Sequence, residues 1–185
     1  MARLPYVVPE EAPEKVQETF KRLPAVLNVF KMMAHSETNF RPLVRLGTAV
    51  LAEQKLSPKL RELAILRVAN LSKAEYEWVQ HVALAKVVGV TQPQVDALGR
   101  GEIHSPCFDA AEQLVLEFAT EVIRDVRASD QTFARVREQL TPREIVELVL
   151  AVGYYMMVAR LLETTAVDLE PPAEGFAKLL QGRKP

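Results

Sequence analysis

Along most of the chain the apolar residues recur at intervals of three and four, and nowhere do Val, Ile and Thr alternate with polar residues between turn signals. The first spacing stacks side chains on one face of a helix, whereas a strand needs a period of two. The pattern predicts an all-α fold, a compact multi-helix bundle in which prolines, glycines and capping residues separate nine helices.

After an extended arm over residues 1–10, a short helix over 13–22 carries Val16 and Phe20 and is stopped by Pro24. Asn28 is placed to cap a second helix running through His35. A third buries Phe40, Leu43, Val44, Val50 and Leu51, with Pro42 expected in its first turn, where a missing N–H costs little. Ser57 and Pro58 open a fourth, to about Leu71, with Arg67 on its apolar stripe and so half buried or paired. The fifth spans about 74–88 and ends at Gly89, a residue suited to a left-handed cap.

Thr91 and Gln94 make a capping box for a sixth helix, followed by a loop over 99–107. A long seventh helix carries Phe108, Leu114, Phe118 and Val122; a shorter eighth, from near Asp130, carries Phe133, Val136 and Leu140. Thr141, Pro142 and Glu144 cap a ninth, to about Glu163, that is apolar nearly all round and so expected either to be buried on several sides or to lie in a subunit interface. Beyond Asp168 the tail is expected to be peripheral, ordering against a neighbour through Phe176, Leu179 and Leu180.

With 185 residues, 49% of them apolar and 25% charged, the chain is long enough to bury a core as one domain, with the packed part over about 24–168. A formal charge of -1 without a long basic run argues against nucleic acid. The start of the chain lacks the basic and apolar runs of a signal peptide, and no later stretch is expected to reach bilayer-spanning length. A cytoplasmic protein with no membrane partner is the expectation. The single cysteine, Cys107, can form neither an internal disulfide nor a redox pair.

The candidate chemistry lies where the fourth and fifth helices meet. Glu77 and His81 are four residues apart and share a helix face, and a hairpin of helices turning near Ser72 brings Glu62 back towards them. Two carboxyls and an imidazole in a partly apolar place suit general acid–base catalysis, because burial and neighbouring charge push their pKa values apart. The alternatives are an exposed ion pair between Glu77 and His81 and a structural pair between Glu62 and Arg61 or Arg67. A divalent metal on the three groups is a lesser possibility; no cofactor and no metal are expected.

The run from Glu62 through positions 74 and 77 to His81 resembles the signature of the carboxymuconolactone decarboxylase and alkyl hydroperoxidase D superfamily, whose redox members carry a glutamate, a C-x-x-C pair and then a histidine four residues on. Here Ala74 and Glu77 stand at the two cysteine positions. The resemblance extends over about 24–168. It implies an alkyl hydroperoxidase D-like helical bundle assembling as trimers or hexamers, and a cofactor-independent lyase or isomerase acting on a small carboxylate or lactone. Glu62, Glu77 and His81 would be catalytic, with His81 moving the proton, Glu77 setting its charge and orientation and Glu62 supporting both.

His35, Tyr76 and Trp78 are the candidate substrate-binding residues, although aromatics at helical spacing more often serve packing. Arg45 or Arg67 would hold a substrate carboxylate. The alternatives are a peroxiredoxin-type antioxidant activity, for which the chain lacks the resolving thiol, and a non-catalytic ligand-binding scaffold.

Overall fold

The computed structural model describes residues 1–171. Among the described residues there is no strand, and a short 3-10 turn (Pro9–Glu11) precedes nine α-helices. They are α1 (Glu14–Phe20), α2 (Asn28–Met33), α3 (Glu37–Ala52), α4 (Pro58–Ser72), α5 (Glu75–Val87), α6 (Gln92–Gly99), α7 (Ala110–Asp125), α8 (Asp130–Gln139) and α9 (Pro142–Thr165). Phe176, Leu179 and Leu180, expected to order the tail, lie outside the described residues.

The architecture is organised around α4, which packs against α9, α7 and α5. A helix surrounded on several sides must be apolar in several directions, and α4 is buried continuously from Arg61 to Ala69. Leu63 and Leu66 enter one cluster with Leu98, Phe108 and Leu116. Ala64, Ile65 and Val68 enter a larger one with Phe40, Phe118, Leu148 and Val152. Arg67 is both buried and paired: Nε donates to Thr120 Oγ1 at 2.9 Å and an η nitrogen to Asn70 Oδ1 at 2.9 Å.

The capping boxes at Thr91/Gln94 and Thr141/Glu144 form as the sequence predicts, and a third, Asp109 with Glu112, opens α7. Other expectations are corrected. Asn28 is the first residue of α2, after the N-cap Leu27, and its side chain instead donates to the Asp168 carbonyl at 3.2 Å. Pro42 lies inside α3, because that helix starts back at Glu37, a turn before the first apolar residue of the stripe. Phe133 faces outward, while Val136 on the same helix is fully buried.

The packed core also begins ahead of residue 24, since Ala12, Val16 and Phe20 belong to the main cluster. The arm before them is tied to the far end of the chain. Arg3 N donates to Thr165 O at 2.8 Å, and Asp168 accepts from Ala2 N and Tyr6 Oη, each at 3.1 Å.

The 24 residues of α9 are long and apolar enough to cross a bilayer by length and composition, contrary to the expectation that no stretch reaches that length. Half of its most apolar window is buried inside the fold, as in a core helix. Leu148, Ala151, Val152, Tyr155 and Leu162 form that buried face. Val146, Val149, Leu150 and Met157 form an exposed one.

Candidate functional site

Chain reversal between α4 and α5 is made by Lys73, whose left-handed backbone (φ 54°) ends α4, and by Ala74, the extended N-cap of α5. The turn brings Glu62 against His81, and Glu62 Oε2 lies 2.9 Å from His81 Nδ1. A carboxylate only accepts, so this contact places the imidazole proton on Nδ1 and leaves Nε2 as a base. The other oxygen of Glu62 accepts from Arg61 Nε and an η nitrogen, both at 3.4 Å. Glu62 is 0% exposed and Arg61 2%, so the pair is a charge compensation carried out inside the protein.

Glu77 differs in kind. It is 2% exposed, and neither of its carboxyl oxygens has a hydrogen-bond partner among the described residues. Lying in the first turn of α5, it feels the positive end of the helix dipole, worth about 0.3–1 kcal/mol to an anion at a surface site. Desolvating a carboxylate costs several kcal/mol, and that effect wins. Burial first, then the charges of Glu163 and Glu62, hold the Glu77 carboxyl well above the usual carboxylate range. The site thus sets an imidazole hydrogen-bonded through Nδ1 beside a buried carboxyl whose pKa is pushed up.

Both Glu77 and His81 line a cavity of about 770 Å³ enclosed by α1, α2, α3, α5 and α9, a size that fits an organic small molecule. Its walls are mainly aliphatic and aromatic, among them Leu27, Phe30, Leu51 and Leu84. From α9, Tyr155 meets the His81 ring edge-on with centroids 4.6 Å apart, and Tyr154 meets Tyr155 in the same way at 5.2 Å. Tyr154 Oη donates to the Leu43 carbonyl at 3.1 Å; burial, reinforced by Glu77, pushes its pKa up to about 12. Burial likewise raises Tyr155. Both phenols therefore stay neutral at physiological pH.

The remaining candidates separate. Tyr76 lines the cavity, but its hydroxyl donates to the Glu170 carboxylate, which with burial raises its pKa. Trp78 does not line the cavity: one residue past Glu77 on a helix is about 100° round the axis, and the indole packs towards α6 near Gly99. His35 is exposed in the turn after α2, where Nε2 meets the Pro5 carbonyl at 2.6 Å and fastens the arm. Of the two arginines considered for a substrate carboxylate, Arg45 lines the cavity and Arg67 does not.

The sequence expectation has Glu77 orient His81; the hydrogen bond to the imidazole is made by Glu62 and not by Glu77. Sequence reasoning did not single out Tyr154 and Tyr155. The available signal was two adjacent aromatics with polar tips in an otherwise aliphatic stretch of helix. Among the described residues no group of three or more His, Cys, Asp or Glu side chains is arranged to hold a metal ion.

Residues 38–121 match the model of the carboxymuconolactone decarboxylase family, a segment that contains Glu62, Glu77 and His81. No curated protein matches the chain. Among solved structures, the fold is similar to an alkylhydroperoxidase AhpD core, an uncharacterized peroxidase-related protein from Ralstonia eutropha, with TM-score 0.78, 18% identity, and coverage of 97% of this chain and 96% of that one. An uncharacterized peroxidase-related protein from a Silicibacter species gives TM-score 0.77 at 21% identity, covering 95% and 94%. The debrominase Bmp8, solved with 2,3,4-tribromopyrrole, gives 0.74 at 14% identity, covering 98% and 99%. Residues 38–121 are thus similar to the carboxymuconolactone decarboxylase family, and the fold is alkyl hydroperoxidase D-like, with Ala74 and Glu77 at the two positions where the sequence resemblance would place a cysteine pair.

Proposed function

We propose that the chain is a cofactor-independent acid–base lyase or isomerase acting on a small carboxylate or lactone. The observation that carries this reading is the Glu62–His81 hydrogen bond beside a buried, unpartnered Glu77, on the wall of an apolar cavity. In an isomerisation, His81 Nε2 takes the proton from the carbon next to a carbonyl, and the Glu62 carboxylate stabilises the imidazolium that forms. The electron pair moves onto the carbonyl oxygen, which receives a hydrogen bond from the neutral Glu77 carboxyl. Return of the proton to another carbon completes the reaction. In a decarboxylation, CO₂ departs, its bonding pair forms the same enolate, and protonated His81 supplies the proton to carbon.

Supporting features are the mainly apolar walls, which strengthen each of these interactions, and Tyr155, which meets the imidazole ring edge-on with Tyr154 packed behind it. The same reading takes the chain as one cytoplasmic domain that self-associates through the exposed apolar face of α9. The test is a parallel screen of lactones, keto acids and peroxides against wild type, His81→Ala and Glu77→Ala. Loss of lactone or keto acid turnover in both variants is the expected result. Peroxide consumption coupled to thiol turnover would favour the antioxidant alternative, and unchanged turnover in both variants would leave a binding scaffold.

A further inference from the structure

Among the described residues the cavity wall carries three arginines, Arg22, Arg41 and Arg45, and a single carboxyl, that of Glu77. Arg45 is engaged by Glu53 through two contacts of 3.0 Å. Arg22 and Arg41 have no ion pair among the described residues. Both are exposed, and both line the same cavity, Arg22 just after α1 and Arg41 on α3, two elements joined by the Phe20–Phe40 ring contact at 4.8 Å. Glu77 is at the buried side, unpartnered, and between the two ends the walls are apolar.

We propose that this cavity takes an amphipathic small molecule with an anionic head held by Arg22 and Arg41, an apolar body, and a carbonyl oxygen that accepts a hydrogen bond from Glu77. The proposal names the substrate class of the acid–base reading, and for turnover, though not for binding, it rests on that reading. A cationic ligand directed at Glu77 is the competing arrangement. It is disfavoured because, among the described lining residues, every formal charge other than that of Glu77 is positive, and because burial without a partner disfavours the charged form of Glu77. A wholly polar ligand would leave the aliphatic walls hydrated and gain little from a cavity of about 770 Å³.

Isothermal titration calorimetry of the full chain with three related compounds tests this. γ-Benzoylbutyrate carries a phenyl ring, a ketone and a carboxylate; δ-phenylvalerate replaces the ketone by a methylene; the methyl ester of γ-benzoylbutyrate removes the charge. Wild type should bind the keto acid, with Kd about tenfold weaker for δ-phenylvalerate, one neutral hydrogen bond being lost. The ester should bind about fivefold more weakly at low salt, with the gap closing as salt rises.

Arg22→Gln combined with Arg41→Gln should abolish the preference for acid over ester and leave the preference for the ketone. Glu77→Leu should do the reverse, and Glu77→Gln, which keeps a donor, should retain both preferences. Failure of γ-benzoylbutyrate to bind, or equal affinity for all three compounds, overturns the proposal. Binding with these preferences but no turnover in the substrate screen removes the acid–base reading and leaves the ligand class standing. Turnover with indifference to ketone and carboxylate removes only the ligand class.

Discussion

His81 Nδ1 and Glu62 Oε2 are 2.9 Å apart across the turn from α4 to α5, and the glutamate in this pair has no exposed surface. The contact fixes which imidazole nitrogen carries the proton and so which one faces a substrate as a base. Glu62→Gln keeps the shape and removes the charge that stabilises an imidazolium. Turnover in the variant should fall about 10²–10³-fold, mainly in kcat, as expected for loss of assistance to a general base. It should also lose about 3 kcal/mol of stability, because the guanidinium of Arg61 is left buried without a counter-charge. Steady-state kinetics and urea titration read the two effects separately; a change confined to KM would exclude the assigned role.

Glu77 makes a prediction about pH. Its folded pKa is raised above the ordinary value of 4.5. Between those two values the folded chain holds a proton that the unfolded chain has released, so stability decreases as pH rises through the window. The slope from one such proton is about 1.4 kcal/mol per pH unit. Glu77→Gln cannot ionise and should be more stable than wild type, with the advantage growing from about pH 5 towards neutrality. Urea midpoints across that range check it, and a gap that does not change with pH would mean that folded Glu77 does not retain its proton.

Gly47 on α3 faces Tyr154 so closely that a Cβ there would lie 2.5 Å from the phenol oxygen and 2.9 Å from the ring carbon bearing it. Alanine normally stabilises a helix interior by about 1 kcal/mol over glycine. Here the rigid, buried ring cannot yield without losing its bond to the Leu43 carbonyl, and overpacking costs about 1–3 kcal/mol. Gly47→Ala should therefore lower the melting temperature. In a Tyr154→Leu background the same change should raise it, which thermal unfolding of the four proteins in the cycle will show.

The proposed self-association concerns Val149 and Leu150, which are 42% and 50% exposed on the outer face of α9. Charges introduced there touch no core residue but oppose burial against a second copy. Val149→Glu with Leu150→Glu should shift the mass measured by light scattering to that of one chain, while the helical circular dichroism signal is retained. A mass already equal to one chain in wild type would end this reading.

The sequence by itself determined the helical class, the positions of most turns and the presence of Glu62, Glu77 and His81 on two successive helices, because these follow from spacing, caps and proline geometry within a few residues. It also named Tyr76 and Arg45, both of which line the cavity. Several placements were decided by contacts to other parts of the chain: Trp78 packs towards α6, His35 bonds to the arm, and Asn28 bonds to Asp168 instead of capping its helix.

Only the tertiary structure decided that Glu62 holds His81 while Glu77 is left without a partner, and that Tyr154 and Tyr155 close the site from a helix more than 70 residues away. Periodicity tells which face of a helix is apolar. It does not tell which neighbour removes water from a carboxyl, and the charge state of that carboxyl depends on the neighbour.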